Sequence, residues 1–303
     1  MNNLLKKLPI PISGLMLGLA ALGNLIGTYN QSLRYVFGSC ASIIFILLLL
    51  KMIIMPAAWK EAFENPVVAS IMGPFSMSMM LLSTYIKPFG ASFAFFMWWG
   101  GIILHILLIL AFTKKHVMPF SIKKVFPSFF IVYVGIVVAS VTSPIYKMLA
   151  VGKLIFWIGF VLYLIWLPIV LYRIYKYKEM PEAVLPTITI FAAPASLCTA
   201  GYLSAFETKQ PYLVIFLAIL AVLMFLYVLL KLPKLLKLQV YPSYSAFTFP
   251  IVLTAIAFTG LTKYFSKINL TIPGFSILQI FTLILACGLV IYVLIRYIIQ
   301  LSK

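Results

Sequence analysis

The sequence predicts an all-α integral membrane protein: ten transmembrane helices, laid out as five tandem helical hairpins in a pseudo-fivefold ring around a central pore. Three observations carry this expectation. Of the 303 residues, 64% are hydrophobic and 9% are charged, and the mean hydropathy is +1.14. A soluble domain carries about 25% charged residues, so a surface this poor in charge has to be solvated by lipid. The apolar residues fall into ten runs, each close to the roughly 20 residues that a span requires. Finally, a proline spacing recurs in register along the chain.

The ten runs cover 8–28, 33–56, 66–86, 91–113, 126–146, 150–174, 185–206, 212–232, 242–262 and 273–299. The first ends at the turn Asn30-Gln31-Ser32, and the second is solidly aliphatic from Ile43 to Leu50 before Pro56. The third runs from Pro66 to Lys87-Pro88, and the fourth stops at Lys114-Lys115. The fifth and sixth flank Lys147, and the sixth closes on Arg173 and Lys176. Glu207 and Lys209 separate the seventh from the eighth, and Lys231, Lys234 and Lys237 separate the eighth from the ninth. Lys263 and Lys267 precede the tenth. No connection is long enough for a separate soluble domain, so residues 1–303 are expected to form one transport domain. The N-terminal apolar stretch is too long for a cleavable signal peptide and lacks its cleavage site, which makes it a retained first span.

With these spans, the 23 lysines and arginines divide unevenly: 16 fall on the side of Lys6 and Lys7, Lys303 among them, and 7 on the other. The positive-inside rule then places both termini in the cytoplasm, for a multi-pass protein of the plasma (inner) membrane. The net charge of +18 therefore marks topology and anionic-lipid contacts, as at Lys114-Lys115-His116, and does not mark a nucleic-acid surface.

The repeat is the most informative pattern. Pro66 and Pro74 are eight residues apart, as are Pro186 and Pro194, and Pro242 and Pro250; Pro127 is followed by Gly135 and Ile10 by Gly18 at the same distance. The leading positions are separated by 56, 61, 59 and 56 residues, two spans each time, so the repeat unit is a hairpin. A proline at a helix's first turn loses no hydrogen bond. One placed eight residues later lies about 12 Å along the helix, near mid-membrane, and kinks it. Irregular backbone at that depth is tolerated only against protein or a water-filled cavity. The odd-numbered spans are therefore expected inside, kinked and pore-lining at Gly18, Pro74, Gly135, Pro194 and Pro250. Even-numbered spans are expected outside.

The residues just before the kinks are Leu17, Gly73, Val134, Ala193 and Phe249, candidates for the constriction. Phe249 brings the only large ring of the five, which either plugs the axis or packs between helices; these residues alone do not decide. No Asp, Glu, Lys or Arg lies mid-way along an inner span, which argues against proton pumps and cation pathways. No nucleophile triad, paired carboxylate or HExxH pattern is present, so no catalytic residues are expected. Cys40, Cys198 and Cys287 fit no metal or disulfide spacing, and neither cofactor nor metal is expected. Basic rims around a neutral tube with scattered hydroxyls (Ser70, Ser76, Ser78, Thr187, Thr189 and Ser196) favour small inorganic or organic anions. His105 is expected as a packed, neutral residue, Met77, Met79 and Met80 as gap-filling packing, and Gly14/Gly18 as a close helix contact within the bundle.

Pro9-Ile10-Pro11-Ile12-Ser13-Gly14, Leu17-Gly18, Ala193-Pro194 and Ala246-Phe247-Thr248-Phe249 resemble the TehA group of the tellurite-resistance/dicarboxylate transporter family, which is related to the slow-type anion channels of plant guard cells. The resemblance spans essentially the whole chain. It implies five inner helices around a pore, a homotrimer with one pore per protomer, and a gate at the phenylalanine that Phe249 matches. It does not extend to the long cytoplasmic tails through which the plant channels are regulated. Activities in that family run from chloride- and nitrate-type channels to malate carriers and sulfite exporters, with tellurite resistance attributed to some members. The leading expectation is a gated passive anion channel. A secondary carrier or exporter of C4-dicarboxylates, sulfite or tellurite-type oxyanions is the alternative, and a membrane-embedded enzyme or resistance factor with a soluble partner is the third reading.

Overall fold

The computed structural model describes residues 2–302, with no β-strand among them; Lys303 lies outside the described residues. Among the described residues, nine helices are long and apolar enough to cross a membrane, and a tenth apolar helix is shorter. In chain order they are α1 Ile10–Ile26 (the short one), α2 Gln31–Ile54, α3 Pro66–Ile86, α4 Ala91–Val117, α5 Phe129–Tyr146, α6 Leu149–Lys176, α7 Glu182–Ala205, α8 Pro211–Leu235, α9 Pro242–Lys267 and α10 Phe275–Ser302. Short helices Asn2–Lys7 and Pro56–Ala62 lie outside this set.

Two classes of helix separate by burial. In the most apolar stretch of α3, α5, α7 and α9, between 72% and 89% of residues are buried, against 28% to 39% in α2, α4, α6, α8 and α10. The contacts follow the same division. Helix α1 packs on α3, α3 on α5, α5 on α7, α7 on α9, and α9 back on α1, while each even-numbered helix packs on the odd-numbered partner of its own hairpin. The even-numbered helices turn large apolar side chains outward, including Phe96, Leu107, Ile158 and Ile284. In water such faces would drive association; in lipid they are at home.

The odd-numbered helices are broken rather than bent. Helix α3 runs as Pro66–Ser70, a turn at Ile71 and Met72, then Gly73–Ile86. In α7 and α9 the first halves are 3-10 helices, Glu182–Phe191 and Pro242–Phe247, and α-helix resumes at Ala192 and Phe249. Helix α5 passes from α to 3-10 at Gly135–Val137. The second proline of each pair thus opens a new α-helix instead of kinking an old one, since Pro74 and Pro250 occupy its first turn, where a missing N–H is harmless. The same proline explains the break before it. Pro250 offers no N–H to the carbonyl of Ala246, and the ladder ends there. Helix α1 departs from the pattern: its α-helix runs unbroken over Ser13–Ile26, and the 3-10 turn comes earlier, at Ile10–Ile12. Gly18 is accordingly not a kink.

Candidate functional site

The breaks of α3, α5, α7 and α9 and the 3-10-to-α junction of α1 surround a small chamber of about 40 Å³. Its wall comes from all five odd-numbered helices: Gly14 and Leu17; Ile71, Pro74 and Met77; Phe130, Ile131, Val134 and Gly135; Ile190, Ala193, Pro194 and Leu197; Ser245, Ala246, Phe249 and Pro250. The sequence-predicted residues Pro74, Gly135, Pro194, Pro250, Leu17, Val134, Ala193 and Phe249 are all brought together here. Gly18 and Gly73 are not part of the wall. A side chain at Gly18 would meet Thr248 at 2.7 Å, and one at Gly73 would meet Ile131 at 2.8 Å, so both glycines serve close approach between helices.

Two aromatic rings line the chamber, not one. Phe130 sits one helical turn before Val134, on the same face of α5, a position that the spacing rule could have supplied. The two rings are held differently. Phe130 is 1% exposed and packs edge-on against Phe191 at 5.5 Å and Tyr163 at 5.9 Å. Phe249 is 7% exposed and makes no ring–ring pair among the described residues. Both rings are buried, and they differ in that Phe130 is held by two aromatic neighbours and Phe249 by none.

The chamber is apolar apart from Ser245, which corrects the expectation of a hydroxyl-dotted tube. The predicted hydroxyls are engaged away from the chamber, within their own helix, as Thr187 with Val184 O, or across helices, apart from Ser78, whose hydroxyl is buried without a partner. Ser70 donates to Val67 O and bonds Ser128 at 2.7 Å, Thr189 donates to Ala246 O at 2.6 Å, and Ser196 meets Thr254 at 3.2 Å. Alternation along a helix does not distinguish these targets. His105 of α4 is fully buried, with Nδ1 at 2.7 Å from Ser76 Oγ and Nε2 at 3.0 Å from Val132 O. A neutral ring protonated on Nε2 satisfies both contacts, and it pins α3, α4 and α5 together just behind the breaks at Gly73 and Gly135.

Four α-helical segments begin beside the chamber, at Ser13, Gly73, Ala192 and Phe249. At Ser13 and Ala192 the first N–H groups are bonded to carbonyls of the preceding 3-10 turns, and Phe75 N–H and Ile251 N–H to Met72 O and Thr248 O, so these junctions are paired within the backbone, and no charged side chain lines the chamber.

Beyond the chamber, at the C-terminal ends of the odd-numbered helices, a cavity of about 870 Å³ opens. It is lined by Arg34, Lys209, Lys263 and Lys267 against one carboxylate, Glu207, itself 3.6 Å from Lys153. Arg34 is held in place, donating from Nε to Asn24 Oδ1 and from Nη2 to Thr84 O, both at 3.1 Å, with its guanidinium 4.6 Å from the Tyr85 ring centre. Lys209 donates to Phe206 O at 2.7 Å. Burial, and then the charge of Lys267, pull its pKa below the ordinary lysine value. Sequence counting groups these cations on one side; that these four line one cavity, while Lys87 is tied to the carbonyl of Ile145 at its wall, is a tertiary fact.

A family model described as SLAC1, voltage-dependent anion channel, matches residues 7–298. The chain belongs to the SLAC1 family. It is thus a multi-pass membrane protein of an anion-transport family, and the resemblance read from its motifs is to the same family. Members of the SLAC1 family are channels or transporters rather than enzymes. No curated protein matches the sequence.

Proposed function

We propose that this protein is a gated anion channel in which α1, α3, α5, α7 and α9 form a pseudo-fivefold ring around the pore. In this reading the 40 Å³ chamber is the constriction, Phe249 is the gate, and the 870 Å³ cavity is the outer vestibule. The observation that carries it is the convergence of five inner helices, four of them broken, on an apolar chamber bordered by Phe249 and lying below a cationic cavity. The 16-to-7 division of cations supports cytoplasmic termini in a plasma membrane. Helix α1 makes the tenth span: its 17 residues rise about 25 Å, and its neighbours shield it from lipid. The homotrimer rests on the family resemblance, and mass measurement of the detergent-solubilised protein tests it.

Planar-bilayer recording of the native protein and Phe249→Ala tests the channel and its gate together. Unitary currents that reverse at the anion equilibrium potential support the reading; currents that track the cation gradient overturn it. Saturating flux driven by a proton gradient would instead mark a carrier of dicarboxylate- or sulfite-type anions.

The vestibule makes a separate prediction. Its excess positive charge raises the local anion concentration, an effect that salt screens. Lys263→Gln with Lys267→Gln is expected to lower anion conductance by about two- to fivefold where the Debye length is ~10 Å, near 0.1 M salt, and hardly at all near 1 M, where it is ~3 Å. A salt-independent loss would mean that the lysines act through structure and not through the field.

A further inference from the structure

The large cavity gathers more positive charge than an apolar chamber needs for the passage of a single monovalent anion. We infer that this cavity binds a divalent oxyanion on the terminal edge of the Arg34 guanidinium, and that an anion held there blocks the pore from that side. The inference rests on the channel reading above and gives its vestibule a ligand.

Arg34 is fixed in place by the protein itself. Its stem lies against the end of α1, where a side chain at Gly27 would meet Cδ of Arg34 at 2.6 Å. Nε donates to Asn24 Oδ1 and Nη2 to Thr84 O, and the Asn24 amide is oriented by its own bond to Thr84 Oγ1 at 3.1 Å. Those two donors are the side edge of the guanidinium. Its terminal edge consists of Nη1 and the second N–H of Nη2. Among the described residues no acceptor meets Nη1, and that nitrogen is not buried. Nor is Arg34 in an ion pair: the salt bridges among the described residues are Lys115 with Glu64 and Lys153 with Glu207. Two parallel N–H groups on one planar edge match two oxygens of one oxyanion, a geometry that a spherical halide does not use.

The rest of the lining supplies the further charge. Lys209, Lys263 and Lys267 share the cavity with Arg34. Burial, and then the charge of Lys267, lower the pKa of Lys209, so two of these cations repel one another. The one carboxylate of the lining, Glu207, lies 3.6 Å from Lys153 instead. A divalent anion relieves that repulsion more fully than a monovalent one. It does not pass onward, because the chamber offers only about 40 Å³ and no charged side chain, and the Born cost of desolvation grows with the square of the charge. Held in the cavity and refused by the chamber, it stands in the way of monovalent anions.

The test adds sulfate to one side of the bilayer at a time, at fixed ionic strength, while chloride current is recorded from the native protein and from Phe249→Ala. Block is expected from the Arg34 side and not from the other, and nitrate in place of sulfate is expected not to block. Arg34→Lys keeps the charge and loses the fork, so it is expected to raise the half-blocking sulfate concentration by about fivefold or more. Lys267→Gln, which removes charge and leaves the fork, is expected to raise it as well, each variant being read against its own unblocked current. A purely electrostatic funnel predicts the parent value for Arg34→Lys. That result in monodisperse protein overturns the proposal, as does sulfate that carries current or blocks equally from both sides. If Arg34→Lys does not fold, Lys267→Gln keeps the comparison available, and the parent half-blocking concentration there overturns the proposal. Thermal unfolding in detergent gives a readout without current: sulfate is expected to raise the midpoint of the native protein more than that of Lys267→Gln. Such a shift in protein that passes no anion current supports the site and overturns the channel reading. Chloride current with neither block nor shift overturns the site alone.

Discussion

Phe249→Ala is expected to raise anion conductance by about tenfold or more, which requires only ~1.4 kcal/mol off the permeation barrier. The ring borders a chamber of about 40 Å³, little more than a water or two can occupy, and no charged group beside it could offset the cost of stripping water from an ion. Truncation removes one of the two large rings that border the chamber, the one without an aromatic partner among the described residues. The stability cost should be small for the same reason. A fully packed Phe→Ala change costs about 3–5 kcal/mol; Phe249 has no aromatic partner among the described residues and borders the chamber, so its cost is expected below that range. Phe130 provides the contrast. Its ring is wedged between Phe191 and Tyr163, so Phe130→Ala is expected to lower the thermal midpoint markedly while giving a smaller gain in current. If both variants destabilise alike and neither conducts more, Phe249 is a packing residue. Recording both in one bilayer system, with thermal unfolding of the same preparations, separates the two.

The parts of this architecture that the sequence exposed are those that depend on backbone chemistry. Proline has no N–H wherever it stands, so the eight-residue pairing marked α3, α7 and α9 as interrupted, and a residue beside each interruption fell on the chamber wall. Glycine is less readable, because it permits a break or a close approach and the sequence does not say which. Gly135 stands at a break; a side chain there would also meet Met77 at 2.7 Å and His105 at 3.0 Å. Gly18 stands in a continuous helix, and its reason is Thr248, more than two hundred residues away in the chain. The hydroxyls were misplaced for a related cause. Thr189 lies on an inner helix as expected, but whether it faces the lumen or the carbonyl of Ala246 depends on where α9 breaks. Arg34 shows the same limit: it lies at the start of an outer helix, yet its hydrogen bonds to Asn24 and Thr84 O carry it to the rim of the inner ones.

Gly18→Ala is expected to destabilise the protein by about 1–3 kcal/mol, the usual cost of over-packing, and to leave the gate leaky. The added methyl would lie 2.7 Å from Cβ and Oγ1 of Thr248 and 3.2 Å from the backbone nitrogen of Phe249. None of these is the free end of a flexible chain. The Thr248 hydroxyl sits between Gly14 O at 3.0 Å and Ser245 O at 2.7 Å and donates to one of them at a time, and Phe249 N opens the α-helix that carries the proposed gate. Relief therefore has to come from moving α9 away from α1 at the level of the gate, which loosens the seat of the ring. A valine at the same position should be worse, because its branched carbons meet the same backbone. The assignment can be separated from general helix packing by a double-mutant cycle. Removing the Thr248 side chain takes away the obstacle, so Gly18→Ala combined with Thr248→Gly should lose less than the sum of the two single changes, by a coupling of about 0.5–3 kcal/mol. Strict additivity, together with unchanged basal current in Gly18→Ala, would place the strain elsewhere and detach Gly18 from the gate.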